Sequence, residues 1–280
     1  MLMKFIEKLS KSIKRSDSLV CVGLDIDKDR IPSFLFDTSD DPYLEFNKTI
    51  VDVTKDIVCA YKLNLAFYEA LGETGFTVLR KTIEYIPRDI VVILDGKRND
   101  IGNTAKKYAE ALFDYIKGDA VTLNPYLGID SVKPFLSYSN KCCFILCKTS
   151  NPSSKEIQDL NVEGKPLYYH IAKKILEWNK ISGRGTTIGA VVGATYPEEL
   201  KEIRELLGED IPLLIPGIGK QGGDIEKTVK FGVNSDREMA IINSSRSIIY
   251  AGSDENYAEA SRRKTEELRE TINLYRKDKV

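Results

Sequence analysis

The sequence has very little histidine: His170 is the only one among 280 residues. Metal sites built on several histidines therefore cannot form within one chain. His170 lies in the helical pattern "YYHIAKKILEW", away from the end of any strand-like run. We interpret it as structural and expect no histidine-based catalytic triad.

Cysteine is also scarce. The chain has five, Cys21, Cys59, Cys142, Cys143 and Cys147, and no CxxC pair. The number is odd, and most of them lie inside apolar runs typical of strands. This pattern predicts buried, reduced thiols in a cytoplasmic protein rather than a disulfide framework or a zinc site.

The sequence lacks a charge excess and a long apolar run. Its formal net charge is −1, which predicts neither nucleic-acid nor membrane-surface binding. No apolar stretch approaches the length of a transmembrane helix. Charges interrupt the N-terminal "MLMKFIEKLSKSIKRSDS", so it does not resemble a secretory signal. Phe5, Leu9 and Ile13 recur every four residues and predict an amphipathic helix.

Eight short apolar runs rich in β-branched residues recur along the chain. They cover residues 19–25, 57–64, 89–95, 119–124, 142–149, 186–193, 211–217 and 238–245. Their apolar character is continuous rather than alternating, which is typical of parallel strands buried on both faces.

Helical patterns separate these runs, including 104–117, 166–181 and 196–207, and another at 256–277 closes the chain. Eight such units in this length predict a (β/α)8 TIM barrel with N-terminal and C-terminal flanking helices. A doubly wound open sheet is the structural alternative, but no GxGxxG turn follows the first strand. Without a linker or repeat, we expect residues 1–280 to form a single domain.

Polar side chains follow the strands at the end where such barrels carry their active sites. These positions are Asp25, Lys62 with Asn64, Asp95 with Lys97, Asn124, Lys148 with Thr149, Pro216 with Gly217, and Ser245 with Arg246. Because the strands themselves are apolar, this concentration of charge predicts a functional site.

The segment "LDGKRNDIGNT" (94–104) carries the densest charge. Residues two apart on a strand face the same way, so Asp95 and Lys97 should share a face, with Lys62 close by on the neighbouring strand. A lysine between carboxylates is held charged and can donate a proton. A carboxylate beside it would repel an acid group of a substrate, and decarboxylation would relieve that repulsion. An ion-pair cluster that only closes the barrel, with Asp100 capping the next helix, is the structural alternative.

A phosphate site is expected on the other side of the barrel. "PGIGKQGGD" (216–224) and "SSRS" (244–247) follow strands seven and eight, whose loops often bind phosphate in such barrels. Glycines expose backbone N–H groups, and Arg246 offers a planar guanidinium to phosphate oxygens. A tight turn alone would also explain the glycines.

The motif "LDGKRNDIGNTA" closely resembles the DxKxxDI signature of the orotidine 5'-phosphate decarboxylase family. The flanking segments that resemble the second, bacterial and parasite type of that family are "YKLNLAFYEALG", "VTLNPYLGIDSVKPF", "CKTSNPSS", "VVGATYPEEL" and "PGIGKQGG". The resemblance runs in order along nearly the whole chain. Asn99 and Ser245 depart from it, since glycine is usual at both positions.

This resemblance implies conversion of orotidine 5'-monophosphate to uridine 5'-monophosphate (UMP) and CO2 in de novo pyrimidine biosynthesis, with no metal or organic cofactor. Lys62, Asp95, Lys97 and Asp100 would form the charged network, with Lys97 protonating C6. The resemblance also implies a homodimer in which Asp100, Ile101 and Thr104 reach the partner's site.

The same resemblance assigns the remaining substrate contacts. They would be Asp25 and Thr104 at the ribose hydroxyls, Asn64 near the ribose, Thr149 at the pyrimidine edge, and Gln221 and Arg246 at the phosphate, with Pro216 and Ser245 lining the pocket. Two alternatives remain. One is a Mg²⁺-dependent sugar-phosphate enzyme, such as a 3-keto-L-gulonate 6-phosphate decarboxylase or a hexulose 6-phosphate synthase, although Lys62 stands where those carry an acidic metal ligand. The other is a silent barrel that only binds phosphate ligands.

Overall fold

The computed structural model describes residues 3–183, 185–218 and 223–277. Within these ranges eight parallel strands close into a barrel in the order β1-β2-β3-β4-β5-β8-β9-β10. The barrel strands are β1 (Val20–Gly23), β2 (Ala60–Asn64), β3 (Val91–Arg98), β4 (Ala120–Leu123), β5 (Cys142–Lys148), β8 (Thr187–Val192), β9 (Leu213–Pro216) and β10 (Ala240–Ser244). All eight strand predictions and the (β/α)8 fold are confirmed.

Helices surround the barrel and cover its N-terminal end. They are α1 (Phe5–Ser16), α2 (Phe34–Thr38), α3 (Pro42–Thr54), α4 (Leu65–Glu69), α5 (Gly72–Tyr85), α6 (Gly102–Ala109), α7 (Ile129–Val132), α8 (Lys155–Gln158), α9 (Leu167–Ser182), α10 (Pro197–Leu207), α11 (Ile225–Gly232), α12 (Arg246–Ile249) and α13 (Tyr257–Lys277). No helix in the described ranges has the length and apolar character that a membrane crossing would require.

The predicted helix at 104–117 is interrupted. Regular α-helix ends at Ala109, and residues Glu110–Tyr115 form a π-helical turn. Leu112 and Phe113, which are consecutive in this turn, are both buried. Hydrophobic periodicity alone does not reveal such a turn, because the apolar positions are the same in both geometries.

The N-terminal helix α1 covers the bottom of the barrel. Ser12 donates to the carbonyl oxygen of Cys59 at 2.8 Å, and Lys8 pairs with Asp119 at 2.6 Å, both just before a strand begins. The prediction of a flanking helix is confirmed. The opposite end, where the strands finish, remains open for a site.

A short excursion leaves the barrel between β5 and α9. This segment, residues 149–166, contains a 3₁₀ turn at Pro152–Ser154, α8, and the antiparallel pair β6 (Asn161–Val162) and β7 (Lys165–Pro166). His170 follows on α9, where its Nε2 lies 2.9 Å from the carbonyl oxygen of Val162. This contact agrees with the structural role predicted for His170.

The five cysteines are all free and buried, as expected. Burial raises the pKa of the Cys59 and Cys147 thiols to about 12, so both are held in the protonated form.

Candidate active site

A charge cluster lies where β1, β2 and β3 end, with Asp25, Lys62 and Asp95 buried and Lys97 about half exposed. The ammonium of Lys62 lies 3.4 Å from Asp25 Oδ1 and 3.3 Å from Asp95 Oδ2. The Nζ atom of Lys97 lies 2.7 Å from Asp95 Oδ1. The predicted proximity of Lys62, Asp95 and Lys97 is confirmed, and Asp25 joins them.

The cluster alternates in charge, and this alternation overcomes the effect of burial. Burial opposes ionisation of Asp95, but the charges of Lys62 and Lys97 and hydrogen bonds from Lys97 and Thr122 lower its pKa to about 2. Burial likewise disfavours the Lys62 ammonium, whereas Asp25 and Asp95 raise its pKa above the ordinary lysine value. Both groups are therefore charged at neutral pH.

A backbone irregularity in β3 presents Lys97 to the site. The register with β4 shifts between Leu94, which pairs with Val121, and Arg98, which pairs with Leu123. Lys97 has a φ of 47°, an uncommon conformation for a residue with a side chain. Lys97 thus reaches Asp95 through a bulge, and not through regular strand alternation as the sequence suggested.

Two adjoining cavities open on the cluster and share Lys62, Asp95, Ser150 and Pro216 in their walls. The larger has a volume of about 570 Å³ and is lined by Lys97, with apolar side chains from β5, β8 and β9. The smaller, of about 200 Å³, is lined mostly by polar residues. A ligand with an apolar ring at one end and an anionic group at the other would match this division.

The excursion forms one wall of the larger cavity and is fastened to the end of β5. Thr149 donates its backbone N–H to Gln158 Oε1 at 2.9 Å, and Gln158 Nε2 donates to Thr149 Oγ1 at 2.8 Å. The neighbouring Lys148 is fully buried, pairs with Asp159, and lies 4.6 Å from the ring centroid of Tyr196.

The smaller cavity lies beside the turn that follows β10. Its lining includes Asn243, Ser245, Arg246 and Gly217, and Gly217 has a φ of 104°. Ser245, one of the departures from the family pattern, fits because its hydroxyl packs against Gly23, where a Cβ would lie only 1.9 Å from Ser245 Oγ. The predicted phosphate contact Gln221 lies outside the described residues.

Asp25 is held from the far side by Tyr250, the residue that follows α12. The Tyr250 hydroxyl donates to the Asp25 carbonyl oxygen at 2.9 Å and accepts from the Asp27 N–H at 2.7 Å. The guanidinium of Arg30 lies 4.1 Å from the centroid of the Tyr250 ring. The loop after β1 is therefore attached to the turn that carries Arg246.

Comparison with known proteins agrees with this geometry. The family model for "Orotidine 5'-phosphate decarboxylase / HUMPS family" matches residues 18–261. The chain belongs to this family.

Several relatives match the chain over almost the whole length of both proteins. A curated orotidine 5'-phosphate decarboxylase of Dehalococcoides mccartyi is 47% identical over 279 residues, covering 98% of this chain and 99% of that protein. The enzyme of the same name from Dechloromonas aromatica is 47% identical over 276 residues, covering 98% and 100%. The solved structure of Leishmania donovani OMP decarboxylase is 34% identical with a TM-score of 0.83, covering 98% and 99%.

The last part of the DxKxxDI motif does not line these two cavities. Asp100 accepts a hydrogen bond from the N–H of Ile101 at 2.8 Å, and neither residue lines the two cavities, nor does Thr104. The N-cap of α6 is Ile101, without a side-chain cap bond, so the alternative that Asp100 caps this helix is wrong. Ile101 is 54% exposed.

The other predicted substrate contacts in the described residues line one or both of the two cavities. Asn64 and Pro216 line the smaller cavity, Thr149 lines the larger, and Asn64 Oδ1 also accepts from the N–H of Ala66 at 3.3 Å. In the part of the chain that the structure describes, no three His, Cys, Asp or Glu side chains form a group able to hold a metal ion.

Sequence reasoning missed three side chains. Thr122 on β4 bonds both Asp95 and Lys97, Gln158 bonds Thr149, and Asn243 lines the smaller cavity. Thr122 and Asn243 could have been identified as strand residues one or two positions before a predicted site residue. Nothing in the sequence indicated Gln158.

Proposed function

We propose that this protein is an orotidine 5'-phosphate decarboxylase, which converts orotidine 5'-monophosphate to UMP and CO2 in pyrimidine biosynthesis. The observation that carries the proposal is the Lys62–Asp95–Lys97 array at the junction of an apolar and a polar cavity. The relatives that are 47% identical over 98% of the chain bear this name.

The two cavities suit the two ends of this substrate. We assign the phosphate to the smaller cavity, where Arg246 can contact its oxygens and Gln221 would follow in the neighbouring loop. The pyrimidine would enter the larger cavity, with Thr149 at its edge. The ribose would lie between them, near Asp25 and Asn64, which line the smaller cavity beside Lys62.

The charge array supplies both parts of the chemistry. Asp95 is ionised and would face the substrate carboxylate, so ground-state repulsion falls as CO2 leaves. The C6–carboxylate bond breaks with its electron pair remaining on C6, and Lys97 Nζ delivers a proton to C6. The Lys97 amine then regains a proton from solvent, and preorganised positive charge stabilises the carbanion until it is protonated.

Phosphate binding contributes at a distance. Arg246 would act at the opposite end of the substrate from C6, so its contact can hold the ring in the reactive position without touching the breaking bond. Pro216 and Ser245 would shape this end of the substrate site, since both line the smaller cavity.

We further propose that the active form is a homodimer in which Asp100, Ile101 and Thr104 complete the partner's site. In support, Ile101 is 54% exposed, Tyr126 is 83% exposed, and Leu127 is 43% exposed. An apolar surface of this kind beside a charged cavity is typical of an interface. The proposal accounts for a motif carboxylate that does not reach the Lys97 of its own chain.

The alternative within the same family is a Mg²⁺-dependent sugar-phosphate enzyme. The ammonium of Lys62 occupies the end of β2 and lies within 3.4 Å of two carboxylates. A cation there repels a divalent metal ion, which favours the cofactor-free reaction.

The test follows orotidine 5'-monophosphate absorbance in excess chelator for the wild type and for Lys97→Ala. Lys174→Ala is the matched control, because the Lys174 side chain is 54% exposed and pairs with Glu177 in its own helix. We expect conversion to UMP by the wild type and the control, and none by Lys97→Ala. A folded wild type that binds UMP without turnover would overturn the proposal. Activity on sugar phosphates after Mg²⁺ is restored would then favour the alternative.

A further inference from the structure

Thr122 lies opposite the bulge that carries Lys97 and is 1% exposed. On β3, three residues (95–97) lie between the register pairs formed by Leu94 and Arg98, whereas Thr122 alone separates Val121 from Leu123 on β4. The bulge removes the Lys97 N–H from the regular ladder. That N–H donates instead to Thr122 Oγ1 at 2.9 Å.

The direction of each hydrogen bond in this group is fixed by chemistry. A backbone N–H can only donate, so Thr122 Oγ1 accepts from Lys97 and keeps its own proton for another partner. That proton goes to Asp95 Oδ1 at 2.8 Å, and the same oxygen accepts from Lys97 Nζ at 2.7 Å. One hydroxyl therefore ties the backbone of Lys97 to the carboxylate that holds its ammonium.

Other buried threonines serve a different purpose. The hydroxyls of Thr54, Thr186 and Thr265 donate to backbone carbonyl oxygens, as expected of groups that satisfy local structure. Thr122 donates to an ionised side chain at the junction of both cavities, and it lines the larger one.

We propose that Thr122 is a positioning residue that sets the orientation of Lys97 and Asp95 toward the reacting carbon. The kinetic part of this inference rests on the proposed function, whereas its geometric part does not. Loss of the hydroxyl would leave the Lys97 N–H without an acceptor at a φ of 47°, a conformation that surrounding contacts must maintain. The hydrogen bond from Thr122 also contributes to the lowered pKa of Asp95.

The experiment compares Thr122→Val, which keeps the shape and removes the hydroxyl, with Thr122→Ser, which keeps the hydroxyl. Thr186→Val is the matched control, since Thr186 is buried and bonds two carbonyls at the opposite end of the barrel. We expect kcat for orotidine 5'-monophosphate to fall about 10- to 100-fold in Thr122→Val, the size of effect that misplacement of a reacting group produces. KM and UMP affinity should change less than about threefold, because Thr122 is expected to act on the reacting geometry rather than on binding. Thr122→Ser and Thr186→Val should retain kcat within about threefold, because both variants still have a hydroxyl group at position 122.

A crystal structure of Thr122→Val gives a readout that does not depend on turnover. We expect Lys97 Nζ to leave Asp95 Oδ1 and the backbone at Lys97 to relax. Should Lys97 keep its 2.7 Å contact and its φ of 47° without the hydroxyl, the inference is overturned whether or not the wild type is a decarboxylase. An equal loss of kcat in Thr122→Ser would also overturn it. If Thr122→Val does not fold, Thr122→Ala replaces it in both measurements.

Discussion

Replacement of Lys62 by methionine should destabilise the fold. It should also reverse the sign of the contribution that Asp95 makes to the pH dependence of the free energy of unfolding. Lys62 Nζ lies 3.4 Å from Asp25 and 3.3 Å from Asp95, and its side chain is 5% exposed. Coulomb's law at an effective dielectric constant of about 20 gives about 5 kcal/mol of attraction for each pair. The cost of burying three charges offsets much of this attraction, so we expect Lys62→Met to lower the free energy of unfolding by about 3–5 kcal/mol at pH 7.

The pH dependence separates this effect from a loss of packing. In the wild type the pKa of Asp95 is about 2, against an ordinary value of 3.8, so the ionised carboxylate stabilises the fold. That contribution, about 2 kcal/mol, is fully present above pH 4 and is lost as the pH falls toward 2. Without Lys62, burial beside Asp25 should raise the pKa of Asp95 above its unfolded value. Protonation of Asp95 then stabilises the folded variant. The difference in free energy of unfolding between the wild type and Lys62→Met should therefore shrink by about 1 kcal/mol or more from pH 7 to pH 5.

The assay is urea unfolding followed by the fluorescence of Trp178, the only tryptophan in the chain. Lys174→Met is the control, and its exposed ion pair with Glu177 should contribute less than about 0.5 kcal/mol at either pH. A deficit for Lys62→Met that is below about 1 kcal/mol, or that is the same at pH 7 and pH 5, would refute the reasoning.

Three further outcomes are expected. Arg246→Ala should raise KM for orotidine 5'-monophosphate at least about 10-fold, because it removes one charged contact with the phosphate. The urea unfolding curve should stay unchanged, because Arg246 is exposed. Asn243→Asp should also raise KM, since it adds a third carboxylate to a lining that already holds Asp25 and Asp95 and would repel an anionic ligand. Steady-state kinetics would contradict this if KM stayed at the wild-type value. The pH profile of kcat should show no acid limb from Asp95 between pH 4.5 and pH 7, because the pKa of Asp95 is about 2. An acid limb in the wild type that is absent in Asp95→Asn would contradict the assignment of Asp95 as ionised in this range.

Much of the barrel follows from the sequence because its signals are local. Continuous apolar runs identify the eight strands, and the first polar residue after each run marks its end. Once the strands are parallel and ordered, the neighbouring ends of β2 and β3 must bring Lys62 beside Asp95. The core of the candidate site is thus a consequence of topology.

The bulge in β3 could not have been predicted in the same way. Positive φ is usually marked by glycine or asparagine, and here it falls on Lys97, one residue after Gly96. The role of Thr122 is equally hidden. Its place two positions before Asn124 marks it as a candidate, but nothing in "AVTL" shows that it bonds the bulge. Both features depend on hydrogen bonds between strands, which no pattern within one strand reveals.

The excursion at 149–166 shows a second limit. Its strands β6 and β7 are two residues each, too short for any periodicity. What holds the segment is the contact of Lys148 with Asp159 and of Thr149 with Gln158, pairs separated by 11 and 9 positions. Such pairs are recognisable only after the chain has turned back on itself.

The bond network of Tyr250 has a consequence for engineering this barrel. One hydroxyl joins the loop bearing Asp25 to the turn bearing Arg246, although these residues are more than 200 positions apart in the chain. The smaller cavity and the charge cluster therefore cannot be exchanged independently of each other. A chimaera that exchanges the segment after β10 must keep a tyrosine at position 250 to stack with Arg30 of the loop after β1. Otherwise the Asp25 carbonyl and the Asp27 N–H lose their hydrogen bonds, even though every residue that lines the cavities has been preserved.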